Sequence, residues 1–284
     1  MSTTVAEAPS SAADIDLEGE PPEPSTSPAG SGPRGLVSLV VTPIVLIASA
    51  LLLATYVGGA DKDSAEASAL DWDTKLFPQL KEHLTLTLWS TVLVILIAIP
   101  LGIVLTRPIL RRGGPESRKI LGLVNPVVLS FANIGQALPA YGLFILFLGW
   151  LGQGEKTSII ALALFALLPV LLNTMVGLDQ VDESVIEAGR GMGMSKLRVL
   201  TRIELPLAVP VILAGVRTAL VINVGMATLA FFIGGGGLGI TINSGLKLSR
   251  DLITVTGATM AALVALTVDW IAAVVERFLR PKGI

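Results

Sequence analysis

This chain of 284 residues has no cysteine, one histidine, few charges and few aromatic side chains. Without cysteine there is no disulfide, thiolate metal site or cysteine nucleophile, and a lone His83 argues against a histidine-based metal centre. Charged residues make up 15% of the chain and hydrophobic residues 52%, whereas an ordinary soluble domain is about 25% charged. A soluble protein of this composition would expose a large apolar surface to water. The composition therefore predicts a membrane protein.

Long runs with few charges predict how the chain crosses the membrane, since a transmembrane helix needs about 20 apolar residues. We find six such runs: 35–60, 84–106, 120–154, 157–178, 205–246 and 252–275. The fifth is interrupted by Arg217 and the sixth by Asp269. The third contains Pro126 and Pro139, so it forms either one bent crossing with an interfacial lead-in or two shorter helices. The expected fold is an all-α multi-pass membrane protein with about six transmembrane helices.

The segments between the runs differ in charge. Residues 1–35 are acidic, rich in serine, proline and alanine, and without apolar periodicity, which predicts a disordered cytoplasmic tail before an N-terminal transmembrane helix at 36–57. With the N-terminus inside, the inner segments carry 13 of the 20 basic residues. Cytoplasmic loops are enriched in lysine and arginine, so we expect both termini in the cytoplasm.

The longest inner segment, 179–206, predicts two short helices around a glycine turn. Ser184 and Glu187 have the spacing of a capping box. Gly193 interrupts the helix, and Ser195 is placed to cap the next one. An exposed short helix with small residues on one side is suited to lie in a groove of a partner protein.

This segment resembles the EAA loop in the permease subunits of ABC importers. That pattern is Glu-Ala-Ala, three residues, Gly, nine residues, Ile, one residue, Leu-Pro. The matching positions here are Glu187, Ala188, Gly189, Gly193, Ile203, Leu205 and Pro206, with Gly189 in place of the second alanine. Seven positions at fixed spacing favour this interpretation over a glutamate that only caps a helix and glycines that only form a turn. The resemblance implies a type I ABC-importer permease fold with a cytoplasmic coupling helix that docks on the ATPase; we call 179–206 the coupling loop.

The resemblance covers 80–281 and is closest to permeases for glycine betaine, carnitine, choline and related osmoprotectants. The segments that carry it are 82–107, 133–146, 167–195 and the glycine run GGGGLG at 234–239. It implies a transport subunit, not an enzyme, in the plasma membrane of a bacterial cell. Its implied partners are two ABC ATPase subunits, a second permease subunit (identical or different), an extracytoplasmic solute-binding protein and membrane lipid. ATP and Mg²⁺ are then bound by the ATPase, with no cofactor, metal or catalytic residue in this chain.

Two other motif-based functions fit less well. Gly234, Gly236 and Gly239 satisfy G-x-G-x-x-G, but the dinucleotide fingerprint needs a preceding strand in a βαβ unit. Here the run follows a membrane helix, so we expect a flexible or re-entrant turn at the outer side. No G-x-x-x-x-G-K-[ST] loop occurs in the chain, and a net charge of −2 gives no support for nucleic-acid binding.

Three alternative functions are considered beside the osmoprotectant permease. Within the ABC class, the alternative is a permease for another small solute such as an amino acid. A stand-alone ion-coupled carrier usually buries acidic residues in mid-membrane, and spans two to five contain none. A membrane-embedded enzyme needs a cluster of acids, bases or metal ligands, which the sequence lacks.

Polar side chains inside the spans are candidates for the transport path. They are Asn133, Gln136, Asn173 and Asn223. Their amides would offer dipoles to a solute, or they would join helices through hydrogen bonds of about 0.6–2 kcal/mol each. The sequence leaves these two roles open.

Arg217 and Asp269 lie at about equal depth, ~10 Å from the inner ends of consecutive antiparallel spans. We therefore hypothesise a structural ion pair, which lowers the cost of burying either charge. The alternative is that Arg217 alone extends to the inner interface. His83 is expected to be an interfacial residue at the outer mouth of the second span.

The scarcity of aromatic residues bears on solute recognition. A quaternary ammonium is typically held by an aromatic cage through cation–π contacts. This chain has 4 tryptophans, 2 tyrosines and 8 phenylalanines. We therefore expect solute recognition to be carried largely by another protein.

Overall fold

The structure is a computed structural model that describes residues 33–106, 126–130, 132–133 and 136–279. Nearly all of the predicted acidic tail, 1–35, lies outside the described residues. Within the described ranges the chain is helical and has no strand. Five helical segments are long and apolar enough to cross a membrane: Leu39–Gly59, Trp72–Thr106, Glu155–Asp179, Lys196–Ala227 and Asp251–Leu279. The predicted all-α multi-pass fold is confirmed.

The helices are numbered along the described chain. They are α1 (Pro33–Gly59), α2 (Ser64–Ala69), α3 (Phe77–Thr106), α4 (Ala140–Leu151), α5 (Glu155–Asp179), α6 (Glu183–Gly191), α7 (Lys196–Val199), α8 (Leu205–Ala227), α9 (Gly239–Leu248) and α10 (Asp251–Leu279). Residues 126–130 are also helical. π-Helical turns at Trp72–Leu76 and Leu200–Glu204 lead directly into α3 and α8, and a 3-10 turn covers Ala230–Ile233.

Two of the predicted spans differ from the structure. The run 120–154 is only partly described, and α4, with Pro139 as its N-cap, has 12 residues, too few to cross a bilayer alone. The uncharged run 205–246 is longer than the span it contains, because α8 ends at Ala227 and the glycine run follows it, as expected. Three glycines of the run 234–239 have positive φ angles, which a right-handed helix does not allow. Lack of charge identifies an apolar segment but does not locate its turns.

The core is formed by α3, α5 and α8, with α5 packed along both neighbours. Glycines permit the close approach. A Cβ atom at Gly215 of α8 would lie 2.7 Å from the Cβ of Asn173 and 2.8 Å from the carbonyl oxygen of Pro169. A Cβ atom at Gly102 of α3 would lie 2.7 Å from a methyl of Thr174. Such contacts matter in a membrane because lipid offers side chains an equally apolar surrounding, so helices associate through close packing.

The first helix, α1, packs against α10. Pro43 lies within α1 and has no N–H, so the carbonyl of Leu39 lacks its usual helical donor. The indole Nε1 of Trp270 on α10 donates a hydrogen bond to that carbonyl at 3.1 Å. The proline thus creates an acceptor through which α10 holds α1.

The antiparallel helices place two loops at opposite ends of the bundle. The glycine loop, 234–239, lies beside the beginnings of α3 and α5: Gly237 N–H donates to Glu82, and Gly154 N–H donates to the carbonyl of Ile233 at 2.8 Å. The coupling loop joins the end of α5 to α8. We call these the glycine-loop end and the coupling-loop end.

Candidate functional site

The first helix of the coupling loop, α6, begins after Asp182. The Asp182 carboxylate accepts a hydrogen bond from the Ser184 N–H at 2.8 Å, and this bond holds the pKa of the Asp182 carboxyl below its ordinary value. The predicted capping box of Ser184 and Glu187 is therefore wrong, because the helix starts two residues earlier than that box requires. A carboxylate at this position also interacts favourably with the helix dipole.

The end of α6 is a Schellman motif. Met194 N–H donates to the carbonyl of Gly189 at 3.2 Å, and Gly193 N–H donates to the carbonyl of Arg190 at 2.9 Å. Gly193 has φ 82°, the left-handed conformation that this motif requires. The Ser195 hydroxyl then accepts from the Arg198 N–H at 3.4 Å, which confirms the predicted cap. The loop is thus shaped by contacts between near neighbours in sequence.

The inner face of α6 is buried against the chain that leads into α8. Ile186 and Gly189 are buried there. A Cβ atom at Gly189 would lie 2.6 Å from the Ile203 Cδ1 and 3.5 Å from a Val199 methyl. Glycine at 189, the departure from the family pattern, lets α6 lie directly on Ile203.

The outer face of α6 carries Glu187 and Ala188, both exposed. Beside them are apolar side chains that are also exposed: Val185 by 40%, Met192 by 72% and Leu197 by 62%. Val185 and Met192 lie outside the candidate spans, and Leu197 lies at the first turn of one. A set of exposed apolar residues at a loop is typical of a protein–protein interaction site. The coupling loop therefore presents exposed apolar side chains beside the Glu187 carboxylate.

The last part of the coupling loop is joined to the core. Leu205 packs with two buried residues, Leu178 near the end of α5 and Leu200 in the turn before α8. α7, the π-helical turn Leu200–Glu204 and α8 form one continuous helical segment from Lys196 to Ala227. In that turn the Leu205 N–H donates to the carbonyl of Leu200. Such turns are common at functional sites in helices. Here the turn precedes Pro206, which has no N–H to donate.

Among the four path candidates, Gln136 and Asn223 link different helical elements. Asn223 is fully buried, and its Nδ2 donates to the Thr91 hydroxyl on α3 at 3.0 Å. Gln136 Nε2 donates to the carbonyl of Phe165 at 3.4 Å. That carbonyl lacks its helical donor because Pro169 follows four residues later. Both contacts have the form expected of residues that join helices.

The other two path candidates bond within their own helical segments. Asn133 Nδ2 donates to the carbonyl of Leu129 at 2.9 Å, and Asn173 Nδ2 donates to that of Pro169 at 2.8 Å. Asn133 is exposed, whereas Asn173 is half-buried at the close contact with Gly215. A role of these four amides in the transport path stays a prediction.

The structure brings Arg217 of α8 and Asp269 of α10 together. Arg217 Nε lies 2.5 Å from Asp269 Oδ1, and Nη2 lies 2.7 Å from Oδ2, so the contact is bidentate. Glu276 is a more distant partner, with Oε2 3.9 Å from Arg217 Nη1. The Arg217 and Asp269 side chains are 39% and 34% exposed. Whether this contact stabilises the fold stays a hypothesis, tested by charge reversal below.

The sequence predicts an interfacial His83, but in the structure this residue is fully buried. Its Nε2 donates to the carbonyl of Val224 at 3.1 Å. The last carbonyls of a helix have no partner within it, and α8 ends three residues after Val224. The imidazole therefore replaces a missing helical donor, and this long-range need is not visible in the sequence around His83.

Two further contacts beside His83 were missed by sequence reasoning. Glu82 Oε2 accepts from the Gly237 N–H at 2.9 Å, and Gln79 Oε1 accepts from the Thr241 hydroxyl at 2.5 Å. Positions 79, 82 and 83 share one face of α3, since residues three and four apart are neighbours on a helix. The spacing shows in the sequence that these three side chains lie together. It does not show which groups they contact.

The glycine loop is closely packed against the helices around it. A Cβ atom at Gly235 would collide with the Ser158 hydroxyl, one at Gly236 with the Glu82 carboxylate, and one at Gly239 with the carbonyl of Thr228. Gly235, Gly237 and Gly239 are buried. The run is therefore required for packing and for left-handed backbone, as well as for turning the chain.

Comparison with known proteins gives matches in sequence and in fold. The family described as "binding-protein-dependent transport system inner membrane component" matches residues 113–281. The glycine betaine/carnitine/choline transport system permease protein OpuCB of Bacillus subtilis is 39% identical, over 72% of this chain and 88% of that protein. The choline transport system permease protein OpuBB of the same organism is 41% identical, over 71% and 87%. The osmoprotectant import permease protein OsmY of Salmonella typhimurium is 37% identical, over 82% and 93%.

A solved structure shows the fold. A chain of the MetNI methionine ABC transporter, in an inward-facing conformation, matches with a TM-score of 0.61 and 20% identity. The match covers 72% of this chain and 96% of that chain. At this identity the likeness concerns the fold alone, and it confirms the predicted permease architecture.

Proposed function

The chain belongs to the family of inner membrane components of binding-protein-dependent transport systems, and on that premise we propose that it imports a quaternary-ammonium osmoprotectant. The expected solutes are of the glycine betaine, carnitine or choline type. The observation that carries the solute class is the similarity to relatives named for these solutes, of which this chain covers 87% or more. The chain is a transport subunit rather than an enzyme by itself, and the predicted resemblance is confirmed.

The proposed complex contains ABC ATPase subunits, a second permease subunit and a solute-binding protein. The exposed face of α6 supports ATPase docking, since it combines Glu187 and Ala188 with exposed apolar side chains. The sequence has no phosphate-binding loop of its own, so ATP and Mg²⁺ are assigned to the ATPase. The basic residues of the inner segments support an orientation with the coupling-loop end and both termini in the cytoplasm.

The coupling loop is proposed to transmit movement of the ATPase to the core. When the ATPases close on ATP, α6 moves with them. Gly189 lies directly on Ile203, and Leu205 packs with Leu178 and Leu200 between α5 and α8. A shift of α6 therefore reaches the two helices that form the core with α3, which supports switching of the path between inward- and outward-facing states.

Uptake by proteoliposomes tests this function. The chain is reconstituted with its ATPase and solute-binding protein, with ATP inside or outside, and uptake of labelled glycine betaine, carnitine, choline and methionine is measured. We expect uptake of at least one of the first three solutes, only when ATP is on the ATPase side, and none with an ATPase that lacks its phosphate-binding lysine. Uptake of methionine alone would favour the amino-acid alternative, and uptake driven by an ion gradient without ATP would contradict the proposal.

A further inference from the structure

One face of α3 holds the turn between α8 and α9. Three neighbouring side chains on that face each bond a different part of the segment 224–241. His83 Nε2 donates to the end of α8, Glu82 accepts from the glycine loop, and Gln79 accepts from α9; the partners are Val224, Gly237 and Thr241. All three contacts are polar, and all lie at the glycine-loop end.

Beneath these contacts the glycine loop covers α5. Ser158 of α5 is fully buried, and its hydroxyl occupies the space that a side chain at Gly235 would need. The Glu82 carboxylate likewise occupies the space that a side chain at Gly236 would need. The loop therefore closes over both α3 and α5, and it stays in place only while its glycines fit against these two side chains.

Two of the three contacts border a cavity that opens at this end. The cavity has a volume of about 460 Å³, and its walls include Gln79, Glu82 and Thr241, together with Lys75 from the turn before α3. Water or a polar group that enters it can compete for the Glu82 carboxylate. The partly buried Glu82 contact is thus exchangeable, unlike the apolar packing among Val94, Ala98 and Leu171 in the core.

We propose that Gln79, Glu82 and His83 form a latch that closes the glycine-loop end and releases the segment 224–241 when solute enters. With the latch closed, the glycine loop lies on α3 and covers Ser158. With the latch open, the loop leaves Glu82 and exposes Ser158 to water. The proposal rests on the proposed function, in which this end alternately opens and closes. It assigns these three residues a positioning role in transport.

The absence of cysteine from the chain provides a background for measuring the opening of the latch. Ser158→Cys places a single thiol under the glycine loop, and Ala98→Cys places one in the core as a control. The rate of modification by a water-soluble maleimide is measured in the assembled, reconstituted transporter. An open minor state is typically populated at 0.1–10%, and loss of the Glu82 contact should increase that population. We therefore expect Glu82→Ala to raise the modification rate at position 158 by about tenfold. The rate at position 98 is expected not to change.

A conservative variant separates the lost contact from a general defect. Glu82→Gln keeps an oxygen that accepts from the Gly237 N–H, so its rate at position 158 should stay near that of the parent. If Glu82→Ala fails to fold, Thr241→Val removes the bond to Gln79 without changing side-chain shape and should give the same selective increase. Unchanged labelling at position 158, or an equal increase at both reporters, would overturn the latch.

The two proposals fail in different ways. If the parent shows no ATP-dependent uptake, the proposed function fails, whatever the labelling rates. If the parent transports but the latch variants label like the parent, only the latch fails. If both proposals are correct, the assembled transporter with Glu82→Ala should hydrolyse ATP several-fold faster than the parent transporter when the binding protein is absent. The transporter with Glu82→Gln should not.

Discussion

The two ends of the bundle are built from contacts of different range. In the coupling loop the capping bonds join Asp182 to Ser184 and Ser195 to Arg198, residues two and three apart. At the glycine-loop end the three bonds from α3 span 141, 155 and 162 residues. The coupling loop is thus shaped locally, whereas the glycine loop takes its shape from distant helices.

The glycines of the two ends differ in the same way. Side chains added at Gly191 or Gly193 of the coupling loop would meet nothing within 4 Å. Those added at Gly235, Gly236 or Gly239 would collide with neighbouring atoms. In the coupling loop Gly193 serves backbone conformation and Gly189 alone serves close packing, whereas at the glycine-loop end several glycines serve close packing.

The largest predicted effect is on packing at the glycine-loop end. Gly239→Ala places a Cβ atom against the carbonyl of Thr228 and 2.8 Å from Phe231 Cδ1. Because a backbone atom cannot move aside cheaply, we expect a loss of about 3 kcal/mol in the free energy of unfolding, measured as thermal unfolding in detergent. Gly225→Ala in α8 is the control, since its Cβ would meet nothing within 4 Å. Equal unfolding temperatures for the two variants would contradict the packing assignment.

The next effect concerns the long-range pair between the two ends, Arg217 and Asp269. Asp269→Arg leaves two like charges in membrane helices, so we expect the free energy of unfolding to fall by about 2 kcal/mol. This loss should appear as a lower yield of folded protein in size-exclusion chromatography. Arg217→Asp combined with Asp269→Arg restores the attraction and should recover most of that yield. If the double variant folds no better than either single one, the structural pair is rejected and an independent Arg217 is favoured.

A smaller effect is predicted for the coupling loop. Gly193 has φ 82° in open space, so Gly193→Ala costs only the strain of a left-handed alanine, about 1–2 kcal/mol. Gly191→Ala, at the end of α6, should be neutral or stabilising by up to about 1 kcal/mol, because alanine favours a helix. The unfolding temperature should fall for Gly193→Ala and should stay the same or rise for Gly191→Ala. A shift in the same direction would show that conformation is not what requires Gly193.

Sequence reasoning worked where the signal is local. Runs without charge located the spans, and the turn at Gly193 and the cap at Ser195 follow from residue types at fixed spacing. It failed where the partner is distant: His83 is buried because α8 ends at Ala227 and leaves the Val224 carbonyl free. Asp182 was overlooked as a cap because Ser184, two residues later, has an equally suitable side chain. The end of α8 at Ala227, within the run 205–246, was not located because an apolar turn and an apolar helix have the same composition.

The measurement that tests the account most directly is co-purification of the ABC ATPase with charge-reversed variants. Glu187→Arg reverses the exposed carboxylate on the outer face of α6, and Glu155→Arg reverses an exposed carboxylate at the glycine-loop end, away from α6. We predict that both variants fold like the parent, that Glu187→Arg loses the ATPase together with ATP-dependent uptake, and that Glu155→Arg retains the ATPase. Retention of the ATPase at parental level by Glu187→Arg would contradict the assignment of this face as the site where ATP hydrolysis is coupled to transport.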